Sequence, residues 1–181
     1  MRTFICGLLL LISAASTTVA QKEDTMGGLT LVIKEVKPSG VLTVETNNSS
    51  QKPIRIWQEG NSWGAAHWRV LLIRNGRLET FFENPDQGFA MNAPRFNKIA
   101  VGAKIDQELS LNSGNWCGFG HCSQYNEHGF GGREVSFEHG DILIVIYDVP
   151  EQLVYPEARG SVLAGKEGVW YGVATAMTVV E

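Results

Sequence analysis

The strongest constraint in this chain is an Asn-Gly dipeptide set between two short β-rich runs. Residues 68–74 (WRVLLIR) and 77–82 (RLETFF) flank Asn75-Gly76. A two-residue hairpin loop of type I′ needs positive φ at both central positions, and Asn followed by Gly tolerates that best. These residues predict a hairpin with its turn at 75–76. The rest of the chain repeats the style. Runs at 29–36, 41–46, 53–57, 98–101, 105–111, 141–147 and 169–180 are rich in β-branched and aromatic residues, and turn chemistry separates them. Lys37-Pro38-Ser39-Gly40 reads as one turn, and Asn47-Asn48-Ser49-Ser50 breaks the run before it. The run at 141–147 is apolar on both faces, which suits a central strand. Residues 151–166 hold the one helical turn to be expected, kept short by Pro156 and Gly160.

Residues 1–20 read as a cleaved signal peptide. Arg2 supplies the positive start, an apolar or small run follows from Phe4 to Ile12, and Thr18-Val19-Ala20 offers small residues before Gln21. The apolar core is too short for a spanning helix, which needs about 20 residues. No later stretch is long and apolar enough to serve as a membrane span. Residues 21–28 (QKEDTMGG) form a polar leader, and 29–181 form a single domain with no repeat and no linker. A charged fraction of 19% with 44% hydrophobic residues excludes a disordered chain. The net charge of −4 argues against nucleic acid, which asks for a basic face.

Short antiparallel strands at regular spacing, with few helical periods, predict an all-β, two-layer sandwich. Residues 42–56 (LTVETNNSSQKPIRI) resemble the strand, Asn/Ser turn, strand opening of secreted immunoglobulin-like domains. The pair 142–147 and 169–180 resembles the last two strands of such a domain. The resemblance implies an immunoglobulin-like antiparallel sandwich of seven to eight strands with long loops. The chain departs from antibody-type domains in having no Cys pair across distant strands around a central Trp, and in its long Gly-rich excursion at 112–133.

Chemistry-bearing residues gather in that excursion. Cys117 and Cys122 are separated by four residues, two of them Gly, and in an oxidising compartment they would pair as a disulfide. The alternative is a zinc or copper site built from Cys117, His121, Cys122 and His128, although the spacing matches no familiar zinc pattern. Free thiols are the third possibility. Gly60-Asn61-Ser62-Trp63-Gly64 fits the hydrolase nucleophile elbow, with His139 and Asp141 as paper partners, but the motif works on a strand-to-helix turn of a mainly parallel sheet. No such scaffold fits here, so no catalytic residue is assigned and the chain reads as a non-enzyme without a cofactor. His67, His121, His128 and His139 read as surface or loop residues, and Glu45, Glu59, Glu79 and Glu83 as solvent-facing strand positions.

Aromatic residues are the excess that composition leaves unexplained. Trp57 and Trp68 lie on or beside strands and are expected in the core. Trp63 has small neighbours that cannot bury it, and Trp116, Phe119, Tyr125 and Phe130 populate the excursion. Exposed rings on loops make apolar platforms suited to a protein or a sugar face. The expectation is a secreted binding module, extracellular or periplasmic, for a protein or carbohydrate partner. Alternatives are a metal-binding protein on the Cys/His loop, or a proteinase inhibitor offering 83–97 or 112–133, a role that some small immunoglobulin-like proteins play. Asn47 and Asn48 head overlapping N-x-S sequons, so either could carry a glycan in a eukaryotic secretory pathway.

Overall fold

The computed structural model describes residues 27–58, 67–83, 95–113, 116–118, 134–150 and 169–181. They form ten strands: β1 (Leu29–Lys37), β2 (Val41–Asn48), β3 (Ile54–Trp57), β4 (Trp68–Arg74), β5 (Arg77–Glu83), β6 (Phe96–Ile99), β7 (Lys104–Ser110), β8 (Trp116–Cys117), β9 (Ile142–Val149) and β10 (Gly172–Val179). The described residues include no helix long and apolar enough to cross a membrane. The expected helical turn at 151–166 lies outside them.

The strands assemble into a three-stranded sheet, β1-β2-β7, a five-stranded sheet, β10-β9-β4-β5-β8, and a two-stranded ribbon, β3-β6. Every strand pairing is antiparallel. The larger sheets each turn one face inward. Leu42 and Val44 of β2 and Leu109 of β7 meet Val70, Leu72, Leu143 and Val145 of β4 and β9 in one apolar cluster. The all-β reading therefore holds, with a sandwich-like core between two antiparallel sheets. The strand count is ten among the described residues, above the seven to eight expected. The Gly-rich excursion hides a two-residue strand, β8, too short to leave a period in the sequence.

Turn chemistry acts where it was read. Asn75 and Gly76 adopt φ of 51° and 72°, and Arg74 faces Arg77 across the hairpin. The amide of Gly40 donates to the carbonyl of Lys37 at 3.1 Å, closing the β1–β2 turn. Gly40 has φ +76°, and a Cβ there would lie 2.6 Å from the Val135 carbonyl oxygen, so both conformation and space demand glycine.

Other boundaries moved for identifiable reasons. β2 runs on to Asn48 instead of stopping at the Asn/Ser cluster, because Asn48 uses its side chain to finish the strand. Its Oδ1 accepts from the Ser50 amide at 2.9 Å, and its Nδ2 donates to the carbonyls of Lys52, Ile99 and Ala100 at 2.9, 3.0 and 3.2 Å. The edge run expected at 98–101 sits earlier, at β6, since Val101 and Gly102 turn the chain into β7. The last run was read as continuous from 169. Val169 instead forms a parallel bridge with Arg55, and the Trp170 amide donates to the Arg55 carbonyl at 2.8 Å. Gly172, at φ 129°, opens β10 directly after this excursion onto β3.

The two outer faces differ in character. That of β1-β2-β7 is laced with ion pairs: Lys34 to Asp106 at 2.9 Å, Lys104 to Glu45 at 2.6 Å and Lys37 to Glu108 at 3.7 Å. A bulge between Ile33 and Glu35 turns Lys34 toward this network. The hydrogen bond to Asp106 holds the Lys34 ammonium above its ordinary pKa.

Candidate functional site

One end of the molecule is closed by rings. β3 ends at Trp57, His67 immediately precedes β4 and Trp68 opens it, Phe96 opens β6, Tyr147 lies near the end of β9, and Trp170 precedes β10. Strand pairing brings these ends together, since β4 and β9 run antiparallel with Trp68 opposite Tyr147. The rings then touch in series. Trp57 lies 4.6 Å from Phe96 and 6.1 Å from His67, centroid to centroid. Tyr147 is 4.6 Å from Trp68 and stacks on Trp170 at 5.6 Å. These are the separations at which aromatic pairs attract beyond simple burial, by about 0.5–1.5 kcal/mol each.

Polar atoms lock the same cluster. The Tyr147 hydroxyl accepts from the Trp57 amide at 3.1 Å, tying β9 to β3. The His67 carbonyl accepts from the Asp148 amide at 2.9 Å, and His67 Nδ1 stands 2.9 Å from the Asp148 carbonyl. A carbonyl only accepts, so Nδ1 carries the proton. The Nε1 donors of Trp68 and Trp170 are buried and meet no acceptor among the described residues. The cluster is thus a rigid base, and residues 59–66, 84–94 and 151–168 connect strand ends that belong to it or flank it.

The sequence candidates fall into three groups. Trp57 and Trp68 are fully buried, as expected of core residues. Trp116 was grouped with contact rings, but at 3% exposure it packs in the core and offers no face to a partner. Trp63, Phe119, Tyr125 and Phe130 lie outside the described residues, as do Ser62, Glu59, Cys122, His121 and His128. His67 is no surface histidine, being buried within the ring cluster, and Glu83 is buried where a solvent-facing carboxylate was expected.

Cys117 is buried on β8 opposite Phe82, and Cys122, its expected disulfide partner, lies outside the described residues. Of the alternative four-ligand set, Cys117 alone falls among the described residues. No cluster of metal-ligating side chains occurs among the described residues. Asn48 is wholly buried with its amide nitrogen committed to three carbonyls, so of the two sequon asparagines it cannot accept a glycan. Half-buried Asn47, on the opposite face of β2, remains.

The opposite end of β9 is electrostatic. Arg74 grips the buried Asp141 carboxylate through Nε at 2.8 Å and Nη2 at 2.6 Å, and the Glu138 amide donates to the same group at 2.8 Å. The hydrogen bond from Arg74 holds the Asp141 carboxyl below its ordinary pKa and raises that of the guanidinium. Arg74 also donates to the Ser136 carbonyl at 2.7 Å. Asp141 therefore staples the 138–141 turn to the hairpin. Its two oxygens are engaged by these donors, and Ser62, with which it and His139 were matched on paper, lies outside the described residues.

Trp170, Tyr147 and His67 make the site, and none was singled out for it from the sequence. Their signal was the position of each ring at the very end of a β-rich run. No protein-family model matches the chain, no curated protein matches it, and no solved structure matches it.

Proposed function

We propose that this protein is a secreted, non-enzymatic binding module of immunoglobulin-like architecture. In this reading the loops at its ring-closed end contact a protein or carbohydrate partner. The observation that carries the reading is the buried aromatic base. It anchors Trp57 and His67, on either side of the segment holding Trp63, so a short Gly-containing segment leaves and re-enters a rigid scaffold. Rigid scaffolds that present loops in this way are common bearers of recognition. The strand orders β1-β2-β7 and β10-β9-β4-β5 support the architecture. They follow the A-B-E and G-F-C-C′ orders of immunoglobulin domains, with β3-β6 as an added ribbon. Secretion is supported by the N-terminal residues, and a disulfide at Cys117 would persist in the oxidising compartment that it implies. We take Cys122 as its partner, the other cysteine being Cys6 within the signal segment.

The test is Trp63→Ala, probed against immobilised glycans and against surface proteins from the native environment. Binding lost with an unchanged melting temperature is the expected result. A variant that binds as wild type, or a wild type that binds neither class, refutes the proposal.

A further inference from the structure

The outer face of the five-stranded sheet carries apolar side chains where the other sheet carries ion pairs. Register places them in rows. Val179, Ile142, Ile73 and Leu78 run across β10, β9, β4 and β5. One step along the strands, Met177, Ile144 and Leu71 form the next row. Met177 is 64% exposed and Leu78 61%, with Val179 and Val173 close to half exposed. The sequence signal was the run 141–147, apolar on both faces. Its alternate residues Leu143, Val145 and Tyr147 face the core, which leaves its three isoleucines outside.

We propose that this face is the interface of a face-to-face homodimer. Two arguments favour a second copy of this chain as the occupant. The first is charge. The only ion pair on the described part of the face, Arg69 to Asp148 at 3.5 Å, is closed within it. The described rows carry no surplus charge to repel their own copy and none to select an oppositely charged partner. The second is size. A third row, of Thr175, Ile146, Arg69 and Phe82, edges the two apolar ones, and four strands about 4.8 Å apart with three rows about 6.8 Å apart give a footprint of roughly 400 Å² per copy. Side-chain relief raises the area removed from water to about 1,000–1,200 Å² in a pair, near the lower limit of specific interfaces. That predicts a dimer dissociating in the micromolar range. Two flat faces of one kind meet about a two-fold axis, so the assembly closes at two copies. The patch is bounded toward β8, where Cys117, across from Phe82, is fully buried.

The experiment is sedimentation velocity on the full secreted chain across the micromolar range. A shift from one to two copies with concentration is expected. Met177→Glu and Leu78→Glu alter exposed positions on two different strands, and each should weaken the dimer at least tenfold with an unchanged melting temperature. Val32→Glu, exposed on the charged face, should leave association as in wild type. A wild type that stays monomeric throughout overturns the proposal. A dimer that survives both glutamates overturns it as well.

Discussion

Replacing Asn48 with Asp exchanges one NH2 group for an oxygen and tests how the end of β2 is held. In the wild type two amide hydrogens serve three carbonyls, of Lys52, Ile99 and Ala100, one of them shared. The bond to Ile99 is buried and the other two are partly buried. The Ala100 carbonyl keeps the Ala103 amide and the Lys52 carbonyl keeps the Ser50 hydroxyl, so the buried Ile99 carbonyl is the acceptor left bare, at about 1–3 kcal/mol, and a carboxylate held against three carbonyl oxygens brings the loss to about 4 kcal/mol. For a domain of this size about 1 kcal/mol moves the melting temperature by roughly 2–4 °C, so a fall of about 8–16 °C is expected. Asn48→Ala removes the same donors without adding charge and should cost about 3 kcal/mol. The aspartate adds a sign. Burial and facing carbonyl oxygens raise its folded pKa above the unfolded value, so the folded state binds more protons and the variant regains stability as pH falls. Urea unfolding followed by tryptophan fluorescence reads both effects. A variant within about 1 kcal/mol of wild type at neutral pH, or a loss independent of pH, refutes the reasoning.

Two further expectations follow from described contacts. Arg74→Met leaves the Asp141 carboxylate buried without its cation and should destabilise by about 3–4 kcal/mol at neutral pH. The wild-type contribution is present above the unfolded carboxyl pKa of about 3.9 and fades as pH falls toward the depressed folded value, so the gap between wild type and variant should narrow in acid. Urea midpoints at several pH values check this, and a constant gap argues against the pairing. If the proposed export and pairing hold, intact mass of the expressed chain, with and without thiol alkylation, should begin at Gln21, lack two hydrogens and take up no label. Two labelled thiols would undo the Cys117–Cys122 assignment.

The legible part of this protein is the part written locally. Asn75-Gly76 determined its turn because positive φ at consecutive residues is a property of those two residues alone. Alternation in residues 105–111 put Ile105, Gln107, Leu109 and Leu111 on one face because strand geometry has period two. What depends on neighbours distant in sequence was not legible. Nothing near Glu83, Trp116 or His67 announces burial, which each acquires from strands far along the chain. Two consecutive asparagines look alike in sequence, yet Asn48 is a buried keystone and Asn47 stands on the opposite face, because one residue along a strand reverses the side chain. By itself the sequence determined the turns, the strand periods and the all-β class. Only the tertiary structure decided that six rings close one end and that isoleucines from a doubly apolar strand line up into an open face. Both depend on register between distant strands, which no local pattern encodes.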